Sequence, residues 1–227
     1  MNDRQPVEAL IFDFDGLIVE TEMPLFEAWQ HTYAAFGHEL ILEEYVGCVG
    51  SDFGGWDPKR NLEQLTGEPI EWDHWDRERN NLAHEIINTK GPMDGVVELL
   101  EAAEKAGIPC AVASSSSRRW VEGHLDRIGL LHIMKLTRCR DDVEAPKPSP
   151  ELFVEAAKGL GVDPKNTIVF EDSLHGLNAA ILAGNPCVIV PNPVTTHLEF
   201  EGAAARVESM VEVTIEWLET VPRPLPA

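Results

Sequence analysis

Two aspartates leave the first apolar run of this chain together. Ala9-Leu10-Ile11-Phe12 leads directly into Asp13-Phe14-Asp15-Gly16, so both carboxylates stand where a buried strand should end. A carboxylate buried without a partner costs several kcal/mol or stays protonated. Three further polar sets are placed in a comparable way. Ser114 to Ser117 follow Ala111-Val112-Ala113, Glu171-Asp172 follow Thr167 to Phe170, and Lys147 sits in the stiff loop Pro146-Lys147-Pro148-Ser149-Pro150. Clustered carboxylates repel one another unless a cation joins them, and an oxygen-only donor set suits Mg²⁺. A lysine and a helix N-terminus near Ser114 to Ser117 add the means to hold a phosphate. In such a set one aspartate can attack phosphorus, and an acid two residues on can protonate the leaving alcohol and then activate water.

These residues need a scaffold that gathers them. Four apolar runs, Ala9 to Phe12, Ile108 to Ala113, Thr167 to Phe170 and Cys187 to Val190, read as strands covered on both faces, with Ile133 to Leu136 as a weaker fifth. Between them lie helical patterns: one capped by Asp94 and ended by Gly107, one capped by Ser117, one over 150–160, and one around His175 to Ala183. Near the C-terminus, Val207, Met210, Val211, Thr214, Trp217 and Leu218 recur at helical spacing, predicting a helix over one face of the sheet. Alternating strands and helices imply an α/β fold, a Rossmann-like doubly wound parallel sheet whose carboxyl edge collects all the polar sets.

Residues 20–90 break that rhythm. Phe26, Trp29, Tyr33 and Phe36 stripe one helix, Trp72, Trp75, Leu82 and Ile86 another, and Asp57-Pro58 starts a short one between them. The expected organisation is an α/β core over 1–19 and 91–227 with an all-helical cap over 20–90, Gly91-Pro92 marking the return. The cap should carry substrate identity. Glu20 and Glu22 stand at its entrance, the loop Gly50 to Trp56 brings two aromatics, and Trp56 is a candidate to cover a sugar face.

With 39 acidic against 18 basic side chains, net charge −21, the chain lacks the positive surface that nucleic acid or an anionic membrane requires. The four cysteines show no metal-ligand spacing; Cys110 and Cys187 read as buried strand residues. No apolar stretch approaches signal-peptide or membrane-span length, so a reduced cytoplasmic setting is expected. The C-terminal run Pro222-Arg223-Pro224-Leu225-Pro226 reads as a loose tail. The histidines show no metal spacing.

The four motifs in this order resemble the haloacid dehalogenase-like superfamily, specifically its helical-cap subgroup that includes beta-phosphoglucomutase and sugar-phosphate phosphatases. The likeness spans residues 7–193. It implies that Asp13 is the nucleophile and a metal ligand, and that Asp15 is the general acid/base, contributing its backbone carbonyl to the metal. Asp172 is implied as the other side-chain ligand, with Glu171 assisting directly or through water. Ser114, Ser115 and Lys147 are implied as a phosphate clamp, Lys147 also keeping Asp13 ionised, and Arg118 is a further phosphate-side candidate. The presence of Asp15 favours phosphate chemistry over carbon–halogen cleavage. The activity implied is a Mg²⁺-dependent phosphomonoester hydrolase for small sugar or polyol phosphates, acting through an aspartyl-phosphate. Two alternatives stand beside it: a sugar phosphomutase, for which the cap cations Lys59, Arg60, Arg77 and Arg79 would have to hold a second phosphate, and a noncatalytic phosphate-ligand binding or regulatory protein. The partner expected is a small phosphorylated metabolite, with the chain a monomer or weak dimer.

Overall fold

The computed structural model describes residues 6–49 and 56–223. Six parallel strands, β1 (Ala9–Phe12), β2 (Cys110–Ala113), β3 (Met134–Arg138), β4 (Thr167–Glu171), β5 (Cys187–Ile189) and β6 (Ala205–Arg206), form one sheet in the order β3-β2-β1-β4-β5-β6. The chain builds outward from β1 on one side and then restarts at β4 on the other, so the order of strand addition reverses between the parallel neighbours β1 and β4. In open parallel sheets the crevice at such a switch point is where ligands bind.

Successive side chains of a strand point to opposite faces, and here both faces are covered. Leu10, Phe12, Val112, Ile168 and Phe170 pack with α5 (Val96–Ala106) and α6 (Arg118–Arg127) on one side. Ile11, Ala111, Ala113, Val169 and Ile189 pack with α7 (Glu151–Leu160) and α8 (Leu174–Ala183) on the other. This double burial is why β1, β2, β4 and β5 do not alternate in sequence, whereas β3 at the sheet edge exposes Lys135. Cys110 and Cys187 are buried in β2 and β5, and Cys48 and Cys139 are buried as well.

Between β1 and α5 the described residues form α1 (Glu22–Ala35), α2 (Leu42–Tyr45), α3 (Pro58–Thr66) and α4 (Trp72–Ile87). Asp57 caps α3 by accepting from Lys59 N, with Pro58 in the first turn. Phe26, Trp29, Tyr33, Leu40, Tyr45 and Leu62 give these helices an apolar cluster of their own, while Ala28, Ala83 and Ile87 face the main core. The two chain crossings meet where Val19 bridges Pro92 and Met93 N donates to Ile18 O at 2.8 Å.

Two expectations are corrected. Asp94 does not cap α5; the cap position is Gly95, whose left-handed φ of 85° places it against the backbone of Met210 and Val211, where a Cβ would lie 2.2 Å from Val211 N. The apolar periodicity near the C-terminus does not form one helix. Val207 follows the end of β6, Met210 and Val211 lie in a single 3₁₀ turn at Met210–Glu212, and Trp217 and Leu218 lie in the four-residue α9 (Ile215–Leu218). Val207, Met210 and Leu218 are buried against the core and Trp217 packs partly against it, but Val211 is 67% exposed and Thr214 is exposed too, so the spacing marked burial only in part and regular structure wrongly. The loop residues 50 to 55 and the tail from Pro224 lie outside the described residues.

Candidate active site

Asp13 and Asp15 follow β1, Ser114 follows β2, and Glu171 and Asp172 close β4, so parallel strand ends bring them to one rim. Gly16 makes the turn possible. Its φ is +75°, and a Cβ there would lie 2.4 Å from Asn192 Nδ2, 2.6 Å from Asp172 Oδ2 and 2.9 Å from Glu22 Cγ. Only a residue without a side chain lets these groups approach so closely.

Lys147 lies under the rim, 2 % exposed. Its Nζ donates to Asp13 Oδ1 and, at 2.6 Å, to Glu171 Oε1, and sits 4.7 Å from the centre of the Phe153 ring. The other Glu171 oxygen accepts from Asp172 N at 3.0 Å, Ser173 N at 3.1 Å and Ser173 Oγ at 3.0 Å. Both oxygens of Glu171 are therefore engaged within the protein. Expected among the metal ligands, Glu171 instead fixes the ammonium of Lys147 and the start of α8, because the strand end buries it completely.

Asp15 faces the opposite wall. Its Oδ2 accepts from Ser116 Oγ at 2.6 Å and from Ser114 Oγ at 3.3 Å, and its Oδ1 from the Trp120 indole N–H at 2.8 Å. Ser115 Oγ accepts from Lys147 N at 3.3 Å. The amides at this helix start are partly spoken for: Ser116 N donates to Ser114 Oγ and Arg118 N to Asp141 Oδ2. Arg118 does not reach the cavity. Its guanidinium is held by Glu122, Thr137 and both oxygens of Asp142 at 2.5 to 2.8 Å, so an internal ion-pair network claims the cation expected to face phosphate. Trp56, the candidate sugar cover, packs instead against the apolar cluster of the inserted helices.

Asp13, Asp15 and Ser114 to Ser116 line a cavity of about 280 Å³, closed from the inserted helices by Glu22, Leu25, Tyr45, Cys48 and Val49. Burial, only partly offset by Lys147 and reinforced by Glu171 and Asp15, pushes the Asp13 carboxyl up to about 8. Burial and then Glu171 and Asp13 raise Asp172 well above the carboxylate range. Burial would lower Lys147, but Asp13 and Glu171 overcome it and keep the ammonium charged. Burial raises Glu22 as well, so Asp13, Glu22 and Asp172 shift in one direction: a single ammonium does not compensate the carboxyls gathered around it. A divalent cation fits this deficit. Asp13 Oδ2 and Asp172 Oδ1 have no hydrogen-bond partner among the described residues, and both are hard oxygen donors of the kind Mg²⁺ takes. No ready-made group of three or more His, Cys, Asp or Glu ligands exists among the described residues, so a cation here would draw on two carboxylates plus backbone oxygen and water.

A family model for haloacid dehalogenase-like hydrolase matches residues 10–190. The chain belongs to this family. This hydrolase is 40% identical to YhcW of Bacillus subtilis (strain 168) over 93% of its own length and 96% of that protein. It is 28% identical to the N-acetylmuramic acid 6-phosphate phosphatase of Pseudomonas aeruginosa, covering 82% and 83% of the two chains. Its fold matches CbbY from Rhodobacter sphaeroides, solved in complex with phosphate, with a TM-score of 0.74 and 30% identity over 91% and 96% of the chains. A mutant of that protein was solved with xylulose-(1,5)bisphosphate.

Two residues at the site of this hydrolase escape motif reading. Trp120 joins Ser116 in holding Asp15, and Asn192 holds Asp172. Asn192 lies between Pro191 and Pro193, twenty residues beyond its partner, and only its position after an apolar strand hinted at the rim.

Proposed function

We propose that this hydrolase is a Mg²⁺-dependent phosphomonoesterase acting on small sugar or polyol phosphates. The observation that supports it most is the asymmetry of the two aspartates. Asp13 is fixed by a buried ammonium at the cavity floor, while Asp15 faces the same space from a hydroxyl and indole cradle.

In this reading a carboxylate oxygen of Asp13 attacks phosphorus and the ester P–O bond breaks. Asp15 gives its proton to the departing alcohol oxygen. Asp15 then takes a proton from water, the water oxygen attacks the aspartyl-phosphate, and the bond from Asp13 to phosphorus breaks to release inorganic phosphate. Ser114 and Ser115 bind phosphoryl oxygens, and Lys147 keeps Asp13 oriented. Asp13, Asp172 and the Asp15 backbone carbonyl would hold Mg²⁺, which when bound neutralises charge on the transferred group. Residues 20–90 act as the cap that covers the reacting ester and excludes water. The relatives support the same chemistry, since one is named an N-acetylmuramic acid 6-phosphate phosphatase and another was solved with phosphate.

The test is phosphate release from a panel of sugar phosphates by purified protein with Mg²⁺. Release is expected, with almost complete loss in Asp13→Asn. Absence of release from every ester, or full turnover by Asp13→Asn, would overturn the reading.

A further inference from the structure

The cap-side wall of the cavity carries acid and no base. No lysine, arginine or histidine of residues 20–90 lines it among the described residues, and the sequence of residues 50–55, Gly-Ser-Asp-Phe-Gly-Gly, contains none. Two cap cations are used within the cap itself. Lys59 pairs with Asp76 at 2.5 Å and lies over Trp72, while Arg79 pairs with Asp76 at 2.9 Å and stacks 3.9 Å from the Trp29 ring centre. On the core side, Lys147 is shared between Asp13 and Glu171, and Arg118 between Glu122 and Asp142.

Among the described residues, Glu22 is the carboxyl this wall presents. It occupies the first turn of α1, is 6 % exposed, and no donor among the described residues bonds its carboxyl. A hypothetical Cβ on Gly16 would touch both Glu22 Cγ and Asp172 Oδ2, which places Glu22 beside the reacting centre rather than at the cap's outer edge. Its carboxyl borders the cavity a ligand would fill and is free to take a hydrogen bond from one. That cavity, about 280 Å³, lies at the lower end of small-molecule sites, roughly 300–1,000 Å³.

Resting on the phosphomonoesterase reading above, we propose that Glu22 is a specificity residue that selects hydroxyl-bearing monophosphates and rejects bisphosphates. A carboxyl engages a hydroxyl in either protonation state, accepting when ionised and donating when protonated. A second phosphate carried by the leaving group would meet Glu22 and the apolar Leu25 and Val49, with no cation to neutralise it. Leaving that second charge unpaired is how a site excludes a near relative of its substrate. A mutant of the relative CbbY was solved with a bisphosphate, so bisphosphates are the competing ligands against which the selection is tested.

The experiment measures kcat/KM of the full chain with Mg²⁺ on para-nitrophenyl phosphate and on pentose and hexose monophosphates with their matching bisphosphates. The best monophosphate should exceed the best bisphosphate at least tenfold. Glu22→Gln, nearly isosteric, should narrow that ratio at least fivefold, and Glu22→Ala should lose about ten times more on the sugar ester than on the aryl ester. A wild-type preference for bisphosphate, or a ratio unmoved in Glu22→Gln with unchanged thermal unfolding, would overturn the inference. Turnover of the aryl ester without monophosphate preference defeats this inference alone; no turnover of any ester defeats the phosphatase reading and the inference with it.

Discussion

Asn192 Nδ2 donates to Asp172 Oδ2 at 2.6 Å and reaches Gly16 O at 3.3 Å. Its Oδ1 accepts from Val194 N at 2.8 Å and Thr195 N at 3.1 Å, which fixes the amide's orientation. The loop after β5 thereby aims a carboxylate at the end of β4 and ties it to the turn after β1. Partners that orient metal ligands typically contribute 10–100-fold in affinity. Asn192→Ala should therefore weaken Mg²⁺ binding about 10–100-fold, measured by isothermal titration calorimetry, while the protein remains folded. Asn192→Asp should bind no better than wild type, because it exchanges a donor for a repelling acid. Unchanged Mg²⁺ affinity accompanied only by lower stability would reduce this contact to a packing role.

Lys147 stands between Asp13 and Glu171 with all three side chains buried. Removing one member of a buried ionic group leaves its partners uncompensated, at a cost of about 3–5 kcal/mol. Lys147→Met should lose stability on that scale in denaturant unfolding, together with nearly all turnover. Adding Glu171→Gln removes one orphaned charge, so the double variant should be more stable than Lys147→Met alone by about 1 kcal/mol or more. Simple additivity of two losses would contradict the coupling.

The sequence made the strand ends readable because each polar motif follows an apolar run, and parallel order then gathers them. It did so for Asp13, Asp15, Ser114 and Asp172. What stayed hidden depends on side-chain partners rather than on order along the chain. Arg118 carries the right charge at the right helix start, yet Glu122 and Asp142 satisfy it internally. Glu171 has the right position, yet burial and four donors turn it inward. Asn192 was invisible because an uncharged amide in a proline-flanked loop carries no motif. The C-terminal periodicity misled for a related reason: Val207, Met210 and Leu218 are buried from a loop, a 3₁₀ turn and a short helix in succession, while Val211 and Thr214 between them face outward.

Glu22 should leave a signature in the pH dependence of stability. Burial first, then Asp15 and Asp13, pushes its carboxyl from an ordinary 4.5 up to about 8. The folded state thus keeps a proton that the unfolded chain releases, and stability falls as pH rises between those two values. Below them both states hold the proton, and above them both have lost it, so the loss is then complete. Asp13 and Asp172 shift in the same direction, so metal-free wild type should weaken from pH 5 to pH 8.5 in chelator. Glu22→Gln removes one contributor and should gain on wild type with rising pH, by an amount on the order of a few kcal/mol at the alkaline end. Denaturant midpoints at the two pH values measure it. A variant that loses ground as pH rises would show that Glu22 is ionised and stabilised in the fold.

Gly176 tests the inward role of Glu171 by geometry alone. A Cβ at this position would lie 1.8 Å from the Glu171 carboxyl carbon and Oε1, and 2.1 Å from Oε2. Its φ lies outside the left-handed region, so alanine is refused by the carboxylate and not by the backbone. In Gly176→Ala the Glu171 carboxyl must move. It then gives up Lys147 on one oxygen and the amides of Asp172 and Ser173 on the other. Overpacking of this kind costs about 1–3 kcal/mol, and turnover should fall further than stability because Lys147 is what orients Asp13. The shorter acid in Gly176→Ala with Glu171→Asp makes room for the added methyl. Part of the lost stability should return in that double variant, while the contact to Lys147, now too short, should not. Thermal unfolding and kcat therefore separate: recovery of the first without the second is the expected pattern, and full turnover in Gly176→Ala alone would mean that the position of Glu171 does not control Lys147.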